Sequence, residues 1–178
     1  LMTSTELDSL RGMFSECTKL TTIKGLNRNS TPNGSVNFVI SGVSNMSYMF
    51  NDCSSLIDLD LTGFYVSNAC LETVAMFKNC KKLSKIDDLT EWKTYSVTDM
   101  NSMFQNCISL TELDLSSWNT TNVTNMEKLF YMEQRCNLEL ITTSTYFKLK
   151  DGINLSNIFN KELENEIREE GEKAVFET

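Results

Sequence analysis

Residues 107–130 read Cys-Ile-Ser-Leu-Thr-Glu-Leu-Asp-Leu-Ser-Ser-Trp-Asn-Thr-Thr-Asn-Val-Thr-Asn-Met-Glu-Lys-Leu-Phe, and close variants of this stretch recur along the chain. The recurrence is plainest in a Met-Phe-x-x-Cys-x-x-Leu signature. It stands at Met13, Phe14, Cys17 and Leu20, then at Met49, Phe50, Cys53 and Leu56. It returns at Met76, Phe77, Cys80 and Leu83 and at Met103, Phe104, Cys107 and Leu110, with a weaker copy at Leu129, Phe130, Cys136 and Leu138. Successive cysteines lie 36, 27, 27 and 29 residues apart. A period in this range predicts a solenoid, because a unit this small cannot bury its apolar face alone and must stack on its neighbours.

Within one unit two periodicities alternate. Leu110, Leu113 and Leu115 end in a spacing of two, which predicts a short strand; Leu56, Leu59 and Leu61 repeat it. In the third copy Asp87-Asp88 displaces Leu89 by one place, which predicts a small bulge. An aromatic follows each strand (Phe64, Trp92, Trp118), then a polar turn. Val97, Met100, Met103 and Phe104 then fall at i, i+3, i+6 and i+7 behind Ser96, Thr98 and Asp99, which predicts a capped short helix or 3₁₀ segment. Stacked units would pair their strands in parallel and lay the helices on the other side. Residues 1–140 are thus expected to hold about five units. Residues 141–178 would form a cap, with Ile153, Leu155, Ile158, Phe159, Leu163 and Ile167 on the apolar face of a terminal helix. Residues 26–38, rich in turn formers and holding Pro32, predict a surface loop.

Sixteen basic residues against 24 acidic ones give a net charge of −8, which argues against a nucleic-acid partner. No apolar run approaches the roughly 20 residues of a membrane span. The chain opens inside a repeat, with Leu7 and Leu10 already at patterned positions, and is expected to be a processed or excised segment. Five of the six cysteines (Cys17, Cys53, Cys80, Cys107 and Cys136) share one place in the repeat. That predicts a column of small buried thiols, with disulfides and metal ligation as the lesser alternatives; a chain without histidine and without a CxxC pair has little to offer zinc. No P-loop, dinucleotide-binding turn or nucleophile elbow occurs, so no enzyme activity and no cofactor are expected.

The combined pattern Val-Thr-Asn-Met-x-x-Met/Leu-Phe, Cys, Leu-x-x-Leu-Asp-Leu-Ser/Thr-x-Phe/Trp resembles the BspA-like leucine-rich repeat of bacterial surface proteins. The resemblance covers residues 7–140 and is best at 43–64 and 97–130. It implies a right-handed leucine-rich-repeat solenoid, with short parallel strands on the concave face and short helices or 3₁₀ turns on the convex face. It also implies a cell-surface or secreted adhesion module that binds a host or microbial protein, extracellular matrix proteins among them.

Strand residues between the buried leucines must point outward, because side chains alternate along a strand. Asp58, Lys85 and Glu112 share one row, and Asp60, Asp87 and Asp114 the next. Stacked carboxylates one strand spacing apart repel one another, which favours a basic protein segment or, more weakly, Ca²⁺. The plainer reading is that this Asp bonds neighbouring turn groups. Two other roles fit the same pattern: a structural spacer presenting another domain, or a substrate-docking solenoid of a larger enzyme.

Overall fold

The computed structural model describes residues 8–24, 42–61, 64, 68–149 and 158. The expected surface loop at 26–38 and the expected terminal helix, apart from Ile158, lie outside these residues. Among the described residues five short strands pair in parallel: β1 (Thr22–Ile23), β2 (Asp58–Asp60), β3 (Lys85–Asp87), β4 (Glu112–Leu115) and β5 (Leu140–Thr143). They form two small sheets, β1-β2-β3 and β4-β5. A second line of isolated parallel bridges joins Ser9, Asn45, Glu72, Asp99 and Asn125.

The right-handed leucine-rich-repeat solenoid with helices on one side is not what these residues form. They contain no α-helix. The only helical elements among them are two three-residue 3₁₀ segments, Leu89–Glu91 and Thr94–Ser96. The cause lies in where the backbone N–H groups go. Those of Met46, Tyr48, Phe50 and Asp52 donate to the carbonyls of Glu72, Val74, Met76 and Lys78 in the next copy. Those of Met49, Asn51 and Cys53, in between, donate three residues back, to Met46, Tyr48 and Phe50. An α-helix needs every N–H to reach four residues back, and here every second one leaves for the neighbouring copy. Tyr48 and Asp52 have φ of 61° and 59°, at the third position of four-residue turns, where a type II turn requires positive φ. Ala75 and Asn79, and Ser102 and Asn106, repeat the arrangement.

The apolar spacing misleads because each turn closes between residues i and i+3 (Met100 and Met103, Phe104 and Cys107), a spacing that a helix face also shows. Val97, Met100, Met103 and Phe104 are all fully buried, so burial was correctly anticipated and the backbone was not. The capping signal misleads for a related reason. Asp99 Oδ1 does accept the N–H of Asn101 at 2.8 Å, and Asn45 and Asn125 do the same for Ser47 and Glu127. That bond serves an Asx turn as well as a helix start.

Ladders of identical groups fill the core. Phe14, Phe50, Phe77, Phe104 and Phe130 stack with ring centroids 5.4, 5.6, 5.4 and 5.7 Å apart. Trp92 and Trp118 stack at 6.1 Å, and Phe64 tilts against Trp92; each buried aromatic of this kind contributes on the order of 2 kcal/mol. The thiols of Cys53, Cys80 and Cys107 donate to the carbonyls of Phe14, Phe50 and Phe77 at 3.0, 3.1 and 3.0 Å. All six cysteines are free. Cys53, Cys70, Cys80 and Cys107 are buried, whereas Cys17 is exposed and Cys136 half-buried, so the ladder is open at both ends.

Candidate binding face

The strands turn one row of side chains inward (Leu59, Ile86, Leu113, Ile141, all 9% exposed or less) and the intervening ones outward. Asp58, Lys85, Glu112 and Asp114 are exposed, and Asp60 and Asp87 half-buried. The register places Asp58 beside Lys85 and Asp60 beside Asp87. Glu112 lies beside Leu140 and Asp114 beside Thr142. The expected column Asp60–Asp87–Asp114 is therefore divided, with its third member in the other sheet.

The division has a local origin. The chain spends one extra residue, Asp88, at the end of β3, and Asp88 takes up the left-handed conformation (φ 69°, ψ 40°). This lets Leu89 turn inward to 3% exposure, at the place that Leu61 and Leu115 hold in their own copies. The Leu89–Glu91 3₁₀ turn begins there, and no backbone hydrogen bond joins β3 to β4. Between the two strands lies an open cleft of about 390 Å³, lined by Lys85, Asp87, Asp88, Thr90, Glu112, Asp114 and Thr142 over a floor of Ile86, Leu89, Leu113 and Leu140. Asp88 was read from the sequence only as a bulge. Thr90, Leu140 and Thr142 carry no repeat signal that would mark them as lining.

Three of the cleft's carboxylates already have partners in the fold. Lys85 Nζ lies 2.7 Å from Asp87 Oδ1. That hydrogen bond, together with the Asp87 charge, holds the Lys85 ammonium above the ordinary lysine range. Asp114 Oδ1 accepts the N–H of Ser116 at 2.9 Å, the turn bond that the plainer reading anticipated. Thr90 Oγ1 donates to Asp88 Oδ1 at 3.3 Å. Among the described residues no group of three or more His, Cys, Asp or Glu is placed to hold a metal ion. Among them also no helix is long and apolar enough to cross a membrane.

No curated protein and no solved structure matches the chain. A family model does match, twice and with overlap, over residues 3–86 and 44–168. Its family is not the BspA-like leucine-rich repeat that the pattern resembles. The letters carrying that resemblance are Met, Phe, Cys and Leu at core positions, and such positions record how short parallel segments pack together more than descent from one particular family. The two matches together take in nearly the whole chain, which belongs to the family described as Mycoplasma protein of unknown function, DUF285.

Proposed function

We propose that this chain is a protein-binding module whose outward strand face accepts a basic segment of a partner protein. The observation that carries the proposal is the make-up of that face around the sheet break. Asp87, Asp88, Glu112 and Asp114 line the cleft against a single ammonium, Lys85, which is already spent on Asp87. Asp58 and Asp60 extend the acidic character along the adjoining sheet. Hydrogen-bonded strands hold the backbone beneath these side chains in place, so little backbone freedom is lost on binding. Opposite charge on a partner would speed encounter and set its register.

The test is capture on an array of peptides of graded net charge. The protein should retain basic peptides, and retention should fall as salt is raised. Asp58→Lys and Glu112→Lys, both exposed, should together weaken capture by about tenfold or more while the circular dichroism stays that of the parent. If capture of every peptide survives both reversals, the face is not the binding surface, and the role of a structural spacer takes its place. Display at a cell surface or in secreted form belongs to the same proposal. Protease treatment of intact cells tests it: loss of the protein supports display, and full protection sinks it.

A further inference from the structure

We infer that the cleft between β3 and β4 is a pocket for a single arginine side chain of the bound segment. The inference rests on the proposed protein-binding role and names the chemistry of its anchor.

At about 390 Å³ the cleft lies near the lower end of the range for small-ligand sites, roughly 300–1,000 Å³, and so suits one long side chain better than a helix or a strand. Its walls have two characters. Leu140, 39% exposed, offers apolar contact. Asp87, Glu112 and Asp114 offer carboxylates from two separate strands. A side chain with an aliphatic stem and a cationic head matches both. The guanidinium is the better fit of the two basic heads, because its planar fork presents several N–H donors at fixed angles to carboxylates on opposite walls, whereas an ammonium acts as a point charge. The cleft also holds an internal guide to its preference. The chain's own Lys85 places its ammonium on Asp87 at 2.7 Å, while 60% of the Lys85 side chain stays in solvent. Lys85 thus competes weakly for the site and can swing away when a stronger cation enters.

The experiment is a ¹H–¹⁵N NMR titration of the full chain with N-acetyl-arginine-N-methylamide, against its lysine and citrulline counterparts. Arginine should move the amides of residues 85–90 and 111–114 and bind more tightly than lysine, with citrulline inert. Glu112→Gln should weaken arginine by about two- to fivefold and Lys85→Ala should strengthen it by a similar factor, the scale of exposed ion pairs. Asp58→Asn, outside the cleft, should leave it unchanged. Shifts spread evenly to residues 58–60, equal binding of citrulline, or a Lys85→Ala variant no tighter than the parent would each overturn the pocket. Any of these results alongside retained capture of basic peptides on the array would remove the pocket and leave the binding face standing.

Discussion

Asn106 Nδ2 donates to Asn79 Oδ1 at 2.9 Å across 27 residues of sequence, and Asn79 Nδ2 in turn donates to Asp52 Oδ1 at 2.8 Å. The chain of bonds ends where Asn106 Oδ1 accepts the backbone N–H of Glu133. Each of the three side chains stands on a residue with φ near +60°, a conformation that Asn and Asp adopt more readily than other non-glycine residues. One residue type therefore meets two demands, a left-handed turn and a bond to the neighbouring copy.

Asn79→Ala should cost about 2–3 kcal/mol in urea denaturation, because it strands the buried Asn106 amide and leaves an alanine in the left-handed region. Asn79→Asp should be destabilising at pH 7, where a second carboxylate faces Asp52, and should regain stability as the pH falls toward 4 and one carboxyl takes a proton. A variant whose stability does not depend on pH in that window would refute the ladder.

Trp92 and Trp118 are stacked and equally buried, yet they differ in one bond. Trp118 Nε1 donates to the Leu89 carbonyl at 3.2 Å, whereas Trp92 Nε1 is buried without a partner. Trp118→Phe should therefore cost about 1 kcal/mol more than Trp92→Phe. Equal losses in thermal or chemical denaturation would contradict the assignment.

Lys128 holds φ at 58° with its side chain half in solvent, and its contact with Glu127 is long, at 3.8 Å. Lys128→Gly should raise stability by about 0.5–1 kcal/mol by relieving the backbone, net of the extra freedom glycine gives the unfolded chain. The matching rise in melting temperature is about 1–4 °C. Lys128→Val should shift it the other way.

Burial pushes the Cys53 and Cys70 thiols up to about 11, and those of Cys80 and Cys107 well above their ordinary value, which is near 9. A folded-state pKa raised above the unfolded one means that stability is full below pH 9 and is lost as the pH climbs through the folded values. The loss should be at most about 1.4 kcal/mol per pH unit per thiol. At pH 8 a thiol reagent should label Cys17 and Cys136 quickly and the other four only on unfolding. Rapid labelling of Cys80 or Cys107 in the native protein would contradict their burial.

The sequence by itself determined the copies, their phase and which residues turn inward. Met103, Phe104, Cys107, Leu110 and Trp118 are buried as their recurrence predicts, since a position repeated in register and apolar each time faces the core wherever copies stack on both sides. Met13 and Cys17, in the first copy, are exposed. The outward strand residues were legible for the same reason, by alternation. Only the tertiary structure decided two matters. The first is the backbone of residues 97–107. Spacing of three and four fits a helix or a run of turns equally, and the choice depends on whether the next copy offers carbonyls such as those of Asn125 and Glu127 to take the N–H groups. The second is the cleft. Asp88 is one surplus residue in the sequence, and its effect, the loss of pairing between β3 and β4, arises only when two copies lie side by side and their registers no longer agree.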